Sequence, residues 1–212
     1  MKDETRFCKD IGMRVTDRSR EKTCVWKTDA CKDCYNEKLE KVYKKMLTKD
    51  IRNDAFWNTL NGSELKSILS RKQHQTSRFR FQTRGETFSV KQDVFKVKEI
   101  LESNPDTVFW IPTRGWRNPL MKRLIEKEIF PLVNARVLAS TDKTNLSEEW
   151  KDLKDSNWST MYFGDDQQRI TPNGDKHFLC PKTHKGLKGH CAICKAGCFR
   201  NNKRVDVHLK AH

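Results

Sequence analysis

Two sets of cysteines near the two ends of the chain constrain the fold more than any other feature. Cys180, Cys191, Cys194 and Cys198 follow the spacing C-x10-C-x2-C-x3-C. Four thiolates with a tight C-x2-C knuckle make a complete ligand set for one metal centre. Pro181, Gly186, Gly189 and Gly197 let the backbone wrap such a centre, and lysines rather than apolar residues surround the thiols. Zinc and a [4Fe–4S] cluster both accept four cysteines. His177, His184 and His190 flank the set as alternative zinc ligands, but with four thiolates present they read as exposed basic-loop residues. The second set, Cys24, Cys31 and Cys34, is spaced C-x6-C-x2-C and is followed at once by Tyr35 and a helical pattern. Three ligands leave one position open. On an iron–sulfur cluster that open iron would receive a substrate or cofactor. Cys8 offers a fourth ligand and a closed site instead.

Eight cysteines suit metal ligation best if the compartment is reducing. The segment MKDETRFCKD has no apolar signal core, so the expectation is a cytoplasmic protein. No stretch approaches the ~20 apolar residues of a membrane span. Apolar residues make up 35% of the chain and charged residues 33%, yet 6 Trp and 11 Phe supply enough large side chains for a packed core.

The net charge of +15 speaks to partners more than to fold. Residues 176–212 hold a single acid, Asp206, among many Lys and Arg, and residues 65–85 hold no acid at all. A nucleic acid or a host protein is therefore a candidate partner. The candidate phosphate contacts are Arg71, Lys72, Arg78, Arg80, Lys203 and Arg204. Phe79 and Phe81 read as base-stacking or core residues, with one of them assigned to the core.

Between the cysteine sets the pattern alternates. Helical spacing covers 36–47, where Leu39, Val42, Tyr43, Met46 and Leu47 form a stripe, and short helices are expected over 50–75, one capped by Ser63. Strands are expected at 78–83, 107–113, 135–141 and 159–164, separated by helices at 90–103, 118–130 and 146–155, the last capped by Asn145 or Ser147. Asn173 and Gly174 mark a turn. Such alternation predicts an α/β fold: a partial (β/α) barrel or an open parallel sheet, with cysteine-rich metal-binding segments at both ends. Three segments follow from composition: 1–35 with the first cysteines, an α/β core over 36–175, and the basic cysteine-rich segment 176–212.

The stretches CVWKTDACKDCYNEKL, RFQTRGETFS, TVFWIPTRGWRNPLMKRLIEK, RVLASTD and CPKTHKGLKGHCAICKAGCF occur in this order. Together they resemble the phage and plasmid "gene product eighty-eight" family, itself similar to radical S-adenosylmethionine proteins. The resemblance covers roughly residues 20–212. It implies an iron–sulfur protein of a phage or mobile element that uses S-adenosylmethionine for radical chemistry. Radical S-adenosylmethionine proteins place three cysteines after the first strand, spaced C-x3-C-x2-C, with an aromatic residue before the last. Here the first gap is six and Tyr35 follows the last cysteine. By the same resemblance Gly85 and Glu86 would hold the cofactor's amino group, and Ser140 and Asp142 would face it from a strand end. Thr113, Arg114, Trp116 and Arg117 would share that rim, where arginines suit a phosphate or carboxylate. The competing reading is a cluster- or zinc-stabilised module for nucleic acid or a host protein, without catalysis.

Overall fold

The structure is a computed structural model. It describes residues 3–71, 77–164, 176–188, 190–195, 197–199 and 204–210, with the backbone alone at Asp33, Tyr35 and His190. Lys72, Lys203 and the turn expected at Asn173 and Gly174 lie outside the described residues.

The chain opens with an antiparallel pair, β1 (Arg6–Cys8) and β2 (Met13–Val15). After α1 (Arg20–Thr23) and a 3₁₀ turn (Asp29–Asp33) come α2 (Tyr35–Val42), α3 (Lys45–Thr59) and α4 (Gly62–Leu69). Strand and helix then alternate: β3 (Arg78–Arg80), α5 (Lys91–Glu102), β4 (Val108–Thr113), α6 (Pro119–Glu128), β5 (Ala135–Asp142), α7 (Ser147–Asp155) and β6 (Ser159–Gly164). The C-terminal segment adds β7 (Phe178–Leu179), α8 (Pro181–Lys185), α9 (His190–Ile193) and β8 (Asp206–Lys210). The strands form one eight-stranded sheet in the order β1-β2-β3-β4-β5-β6-β8-β7, parallel except for β1–β2. The fold is thus mixed α/β around a mostly parallel sheet. Among the described residues no pairing joins β1 to β7. No described helix is long and apolar enough to cross a membrane.

From β2 to β6 each new strand pairs with the one before it. Right-handed crossovers repeated in one direction stack their helices on one face of the sheet. The packing follows: Phe79, Phe81, Phe109, Ile111, Val137 and Ala139 meet α3 to α7 through Phe56, Trp57, Leu65, Val97, Ile125 and Leu153 in one core. Alternate strand residues face the other way. There Trp110, Leu138, Met161, Val207 and Leu209 pack against Cys180, Cys198, Phe199 and Val205. The chain between β7 and β8 packs on that second face as a strap, through the described residues Cys180, Cys198 and Phe199. Cys191 on the strap reaches Ile11, Met13 and Val15, and the Ala192 N–H donates to the Ile11 carbonyl at 3.0 Å.

Several local expectations are corrected. The helix expected over 36–47 breaks at Tyr43, because its apolar stripe meets no core: Val42, Tyr43 and Leu47 are more than half exposed. Asn61, not Ser63, caps α4, its side chain accepting from the Glu64 N–H at 2.9 Å. Neither Asn145 nor Ser147 caps α7; Leu146 holds the cap position and the Glu149 carboxylate takes its N–H at 2.9 Å. β3 stops at Arg80 because Gln82 turns to φ 38, where a strand cannot continue. Phe79 and Phe81 stand two residues apart, so they share a face, and both are fully buried; neither can stack on a base.

Candidate metal centres

The first cysteine set lies over the C-terminal ends of the central strands, where parallel sheets place their ligands. Trp26 anchors the loop by donating its indole N–H to the Phe88 carbonyl at 2.9 Å. Thr28, at the start of the 3₁₀ turn, donates to Asp142 at 3.0 Å, and its backbone N–H reaches the Cys31 Sγ at 3.4 Å. Cys34 then serves as the residue before α2, its N–H bonded to the Cys31 carbonyl at 3.2 Å. Burial first, then the charges of Glu86, Cys34 and Cys31, push the Cys24 thiol up to about 12. Cys31 and Cys34 thus lie close enough to Cys24 for their charges to act on it. Cys8 does not join them. It packs with Cys191, Ile11, Met13 and Val15 on the second face.

Arg20 and Arg84 lock α2 behind this loop. Arg20 grips Glu40 with Nε and Nη2 at 3.0 and 2.8 Å, holding that carboxyl below its usual range. Arg84 also reaches Glu40 at 2.6 Å and pairs with buried Asp50.

Gly85 and Glu86 follow β3, as the resemblance implies. Gly85 has φ 83, and a Cβ there would stand 2.7 Å from the Arg18 carbonyl oxygen, so only glycine fits. The Glu86 carboxylate is buried and accepts from the Phe88 N–H (3.1 Å), the Thr113 hydroxyl (2.7 Å) and the Arg114 N–H (2.8 Å). Burial raises its pKa against those donors. Asp142 is similarly committed, to Thr28, to Arg114 Nη1 at 2.7 Å and to Thr144 at 2.9 and 2.5 Å. Its pKa is lowered: burial opposes ionisation, but Thr144 and Arg114 outweigh it together. A ligand amine would compete with protein donors at both carboxylates. Ser140 is buried on the same strand as Asp142, and its carbonyl accepts from the Trp116 indole at 3.1 Å. Arg117 stacks on Trp116 at 5.5 Å and pairs with Glu149 at 3.3 Å.

The second set lies on the strap. Cys180 sits where β7 gives way to α8, its N–H donating to the His208 carbonyl at 2.9 Å. Burial, then the Cys180, Cys194 and Cys191 charges, push Cys198 up to about 12. Cys191 rises to about 11 by burial and by Cys180 and Cys194, with Arg80 pulling the other way. The other three thiols thus lie close enough to Cys198 for their charges to act on it. Arg78 pins the strap by donating to the Cys191 and Cys194 carbonyls, and its guanidinium stacks over Phe199 at 4.6 Å. Arg80 lies over Trp110 at 4.5 Å. Among the described residues no group of three or more His, Cys, Asp and Glu is arranged to hold a single metal ion.

The sequence assigned Arg78 and Arg80 to nucleic acid, yet both face the strap. Arg204 is paired with Asp206 at 2.9 Å, and exposed Arg71 with Asp3 at 3.1 Å. His177 is buried beside Trp150 and Thr160 rather than exposed in a basic loop. Sequence reasoning missed Trp26, Thr28 and the Arg114–Asp142 pair, which place the first loop. The one available signal was their position beside the cysteines and at strand ends.

The Gene product 88 family matches residues 9–203. The chain belongs to that family. No curated protein and no solved structure matches it. For this Gene product 88 member, the thiol values carry a direct expectation. Ligand thiols must lose their protons to bind metal. Raised thiol pKa values mean that metal uptake by the apoprotein falls as pH drops and releases protons, measurable by metal titration in weakly buffered solution between pH 6 and 9. The sign for stability is the reverse. A folded state that holds thiol protons up to about 12 loses stability as pH rises past the ordinary thiol value near 9. Apoprotein should therefore melt at progressively lower temperature above pH 9, while metal-loaded protein should not.

Proposed function

We propose that this Gene product 88 protein binds iron–sulfur clusters through its two cysteine sets and has radical S-adenosylmethionine-like organisation. The observation that carries this is that the loop of Cys24, Cys31 and Cys34 is held at the end of β5 by the Thr28–Asp142 hydrogen bond, while Cys8 packs on the second face. A mononuclear ion draws all its ligands to one point. A cluster spreads them, one thiolate to each iron. When bound at three cysteines, a [4Fe–4S] cluster supplies one-electron chemistry and an iron open to an exogenous ligand.

The chain's own residues would do the rest. Trp26 and Thr28 fix the loop, and the Arg114–Asp142 pair holds it to β5. The use of S-adenosylmethionine is supported by chain order: the cysteine loop follows the first parallel strand, β2, and Gly85-Glu86 follows the second, β3. The four cysteines on the strap would hold a second centre that ties the C-terminal segment across the sheet. The nucleic-acid reading is supported by net charge but keeps few free arginines among its described candidates.

The test is anaerobic isolation with iron, sulfide and zinc analysis. Iron and sulfide in equal amounts with broad visible absorption that bleaches on reduction are expected. Cys31→Ser with Cys34→Ser should remove one centre's iron and leave the fold. Addition of S-adenosylmethionine to reduced protein should change the spectrum of the wild type and not of that variant. Stoichiometric zinc in a colourless protein would replace the cluster reading with the structural-module one.

A further inference from the structure

Arg136 interrupts the apolar run of β5 near its start. It lies on the strap-covered face, opposite Trp110 in the β4–β5 register. Its Nη1 donates to the carbonyls of Val133 (2.9 Å) and Ala135. Its Nε and Nη2 are buried and bond nothing, and the Trp110 indole N–H is likewise buried without a partner. Among the described residues no carboxylate pairs with Arg136, and burial alone pulls its pKa down. Asp206 is already taken by Arg204 at 2.9 Å and by Thr160 at 2.6 Å. A half-buried guanidinium with two nitrogens shut away from water and no counter-charge is costly. Three buried donors without an acceptor define what is missing: an acceptor, preferably an anion.

A cavity of about 310 Å³ opens beside this arginine, between the starts of β5 and β6 and the strap. Arg136, Arg204, Asn157, Ser159, Cys198 and Val205 line it. The size is at the lower end for small-molecule sites and exceeds that of a bare ion. The Ser159 hydroxyl accepts from the Val205 N–H at 3.1 Å, which leaves its proton free to donate. We propose that this cavity binds the oxyanion head, phosphate or carboxylate, of a small organic molecule. Side-chain rotation gives up the two carbonyl contacts of Arg136 and turns its Nε–Nη2 edge into the cavity, where it donates to two oxygens at once. The site needs no metal, so it stands apart from the cluster reading.

Thermal unfolding of the protein as isolated tests it, in sodium phosphate, sodium acetate and sodium chloride at equal ionic strength. At a hundredfold excess over the dissociation constant, one oxyanion should raise the midpoint by roughly 5–10 °C over chloride. The salt that does so tells phosphate from carboxylate. Arg136→Met should lose that rise and, in chloride, melt no lower than the wild type. Arg136→Lys keeps the charge but not the two-point edge, and should lose at least half of the rise; it serves if the methionine variant does not fold. No rise over chloride with either oxyanion, or an undiminished rise in these variants, would overturn the proposal. So would a duplex oligonucleotide that alone stabilises wild type and Arg136→Met equally, since the phosphate contact would then lie on the basic surface.

Discussion

Exchanging Cys191 and Cys194 together for serine is expected to remove the metal proposed for the strap and to unfold the C-terminal third of the sheet. Cys191 is buried against Ile11, Met13 and Val15 at the far edge, and Arg78 holds the carbonyls of both cysteines. The strap they anchor joins β7 to β8, and β8 lies inside the sheet, between β6 and β7. Detaching it uncovers Trp110, Leu138, Met161 and Val207. Apparent binding free energies of structural metal sites reach on the order of 10 kcal/mol in small domains, and all of it is folding free energy. The loss should exceed that of an ordinary large-to-small core substitution, about 2–5 kcal/mol. Chemical denaturation with metal analysis of the same samples checks it. Cys8→Ser, beside Cys191 yet outside the quartet, should keep full metal content. Full metal content and an unchanged denaturation midpoint in the double variant would remove the strap from the list of metal centres.

Asp93→Ala should cost roughly 3–5 kcal/mol, the range for breaking a buried ion pair by removing one partner. Asp93 and Arg18 are both buried and meet at 3.0 Å. Asp93 also accepts from the Trp57 indole at 2.9 Å and from the Ser89 and Val90 N–H groups at 2.9 and 3.1 Å. Arg18 in turn donates to the Glu86 and Thr87 carbonyls, both at 3.2 Å. One carboxylate thus ties the chain after β2, the helix α3 and the turn that carries Glu86. Its removal strands a guanidinium, an indole N–H and two backbone N–H groups at once. Urea denaturation measures the cost. Because the same turn borders the first cysteine loop, the iron proposed for Cys24, Cys31 and Cys34 should also be lost faster to a chelator. A stability change below about 1 kcal/mol would mean that the pair is not closed in solution.

Much of this was legible in the residues. α5, α6 and α7 carry apolar side chains at helical spacing, and β4, β5 and β6 are apolar runs, so local pattern and burial coincide. Capping chemistry was misread at α4, where Asn61 rather than Ser63 accepts from the Glu64 N–H at 2.9 Å. It failed at α7, where the partner is the Glu149 side chain. The three-residue strands β1 and β2 and the strand β8, set in a basic tail, are too short for any period to show. Basic side chains misled for a different reason. A count of charge cannot tell Arg78 and Arg80, turned toward a covering strap, from arginines turned toward water.

The amino-acid sequence alone determined the α/β alternation, because it depends on neighbours close along the chain. Only the tertiary structure decided that Cys8 joins the second set's surroundings, that the tail threads a strand into the sheet, that Glu86 and Asp142 are buried, and that Arg136 has two nitrogens shut away from water. Those outcomes depend on which distant groups meet. Burial then decides the chemistry, since an acid or a guanidinium removed from water must find its partner in the fold or take one from solution.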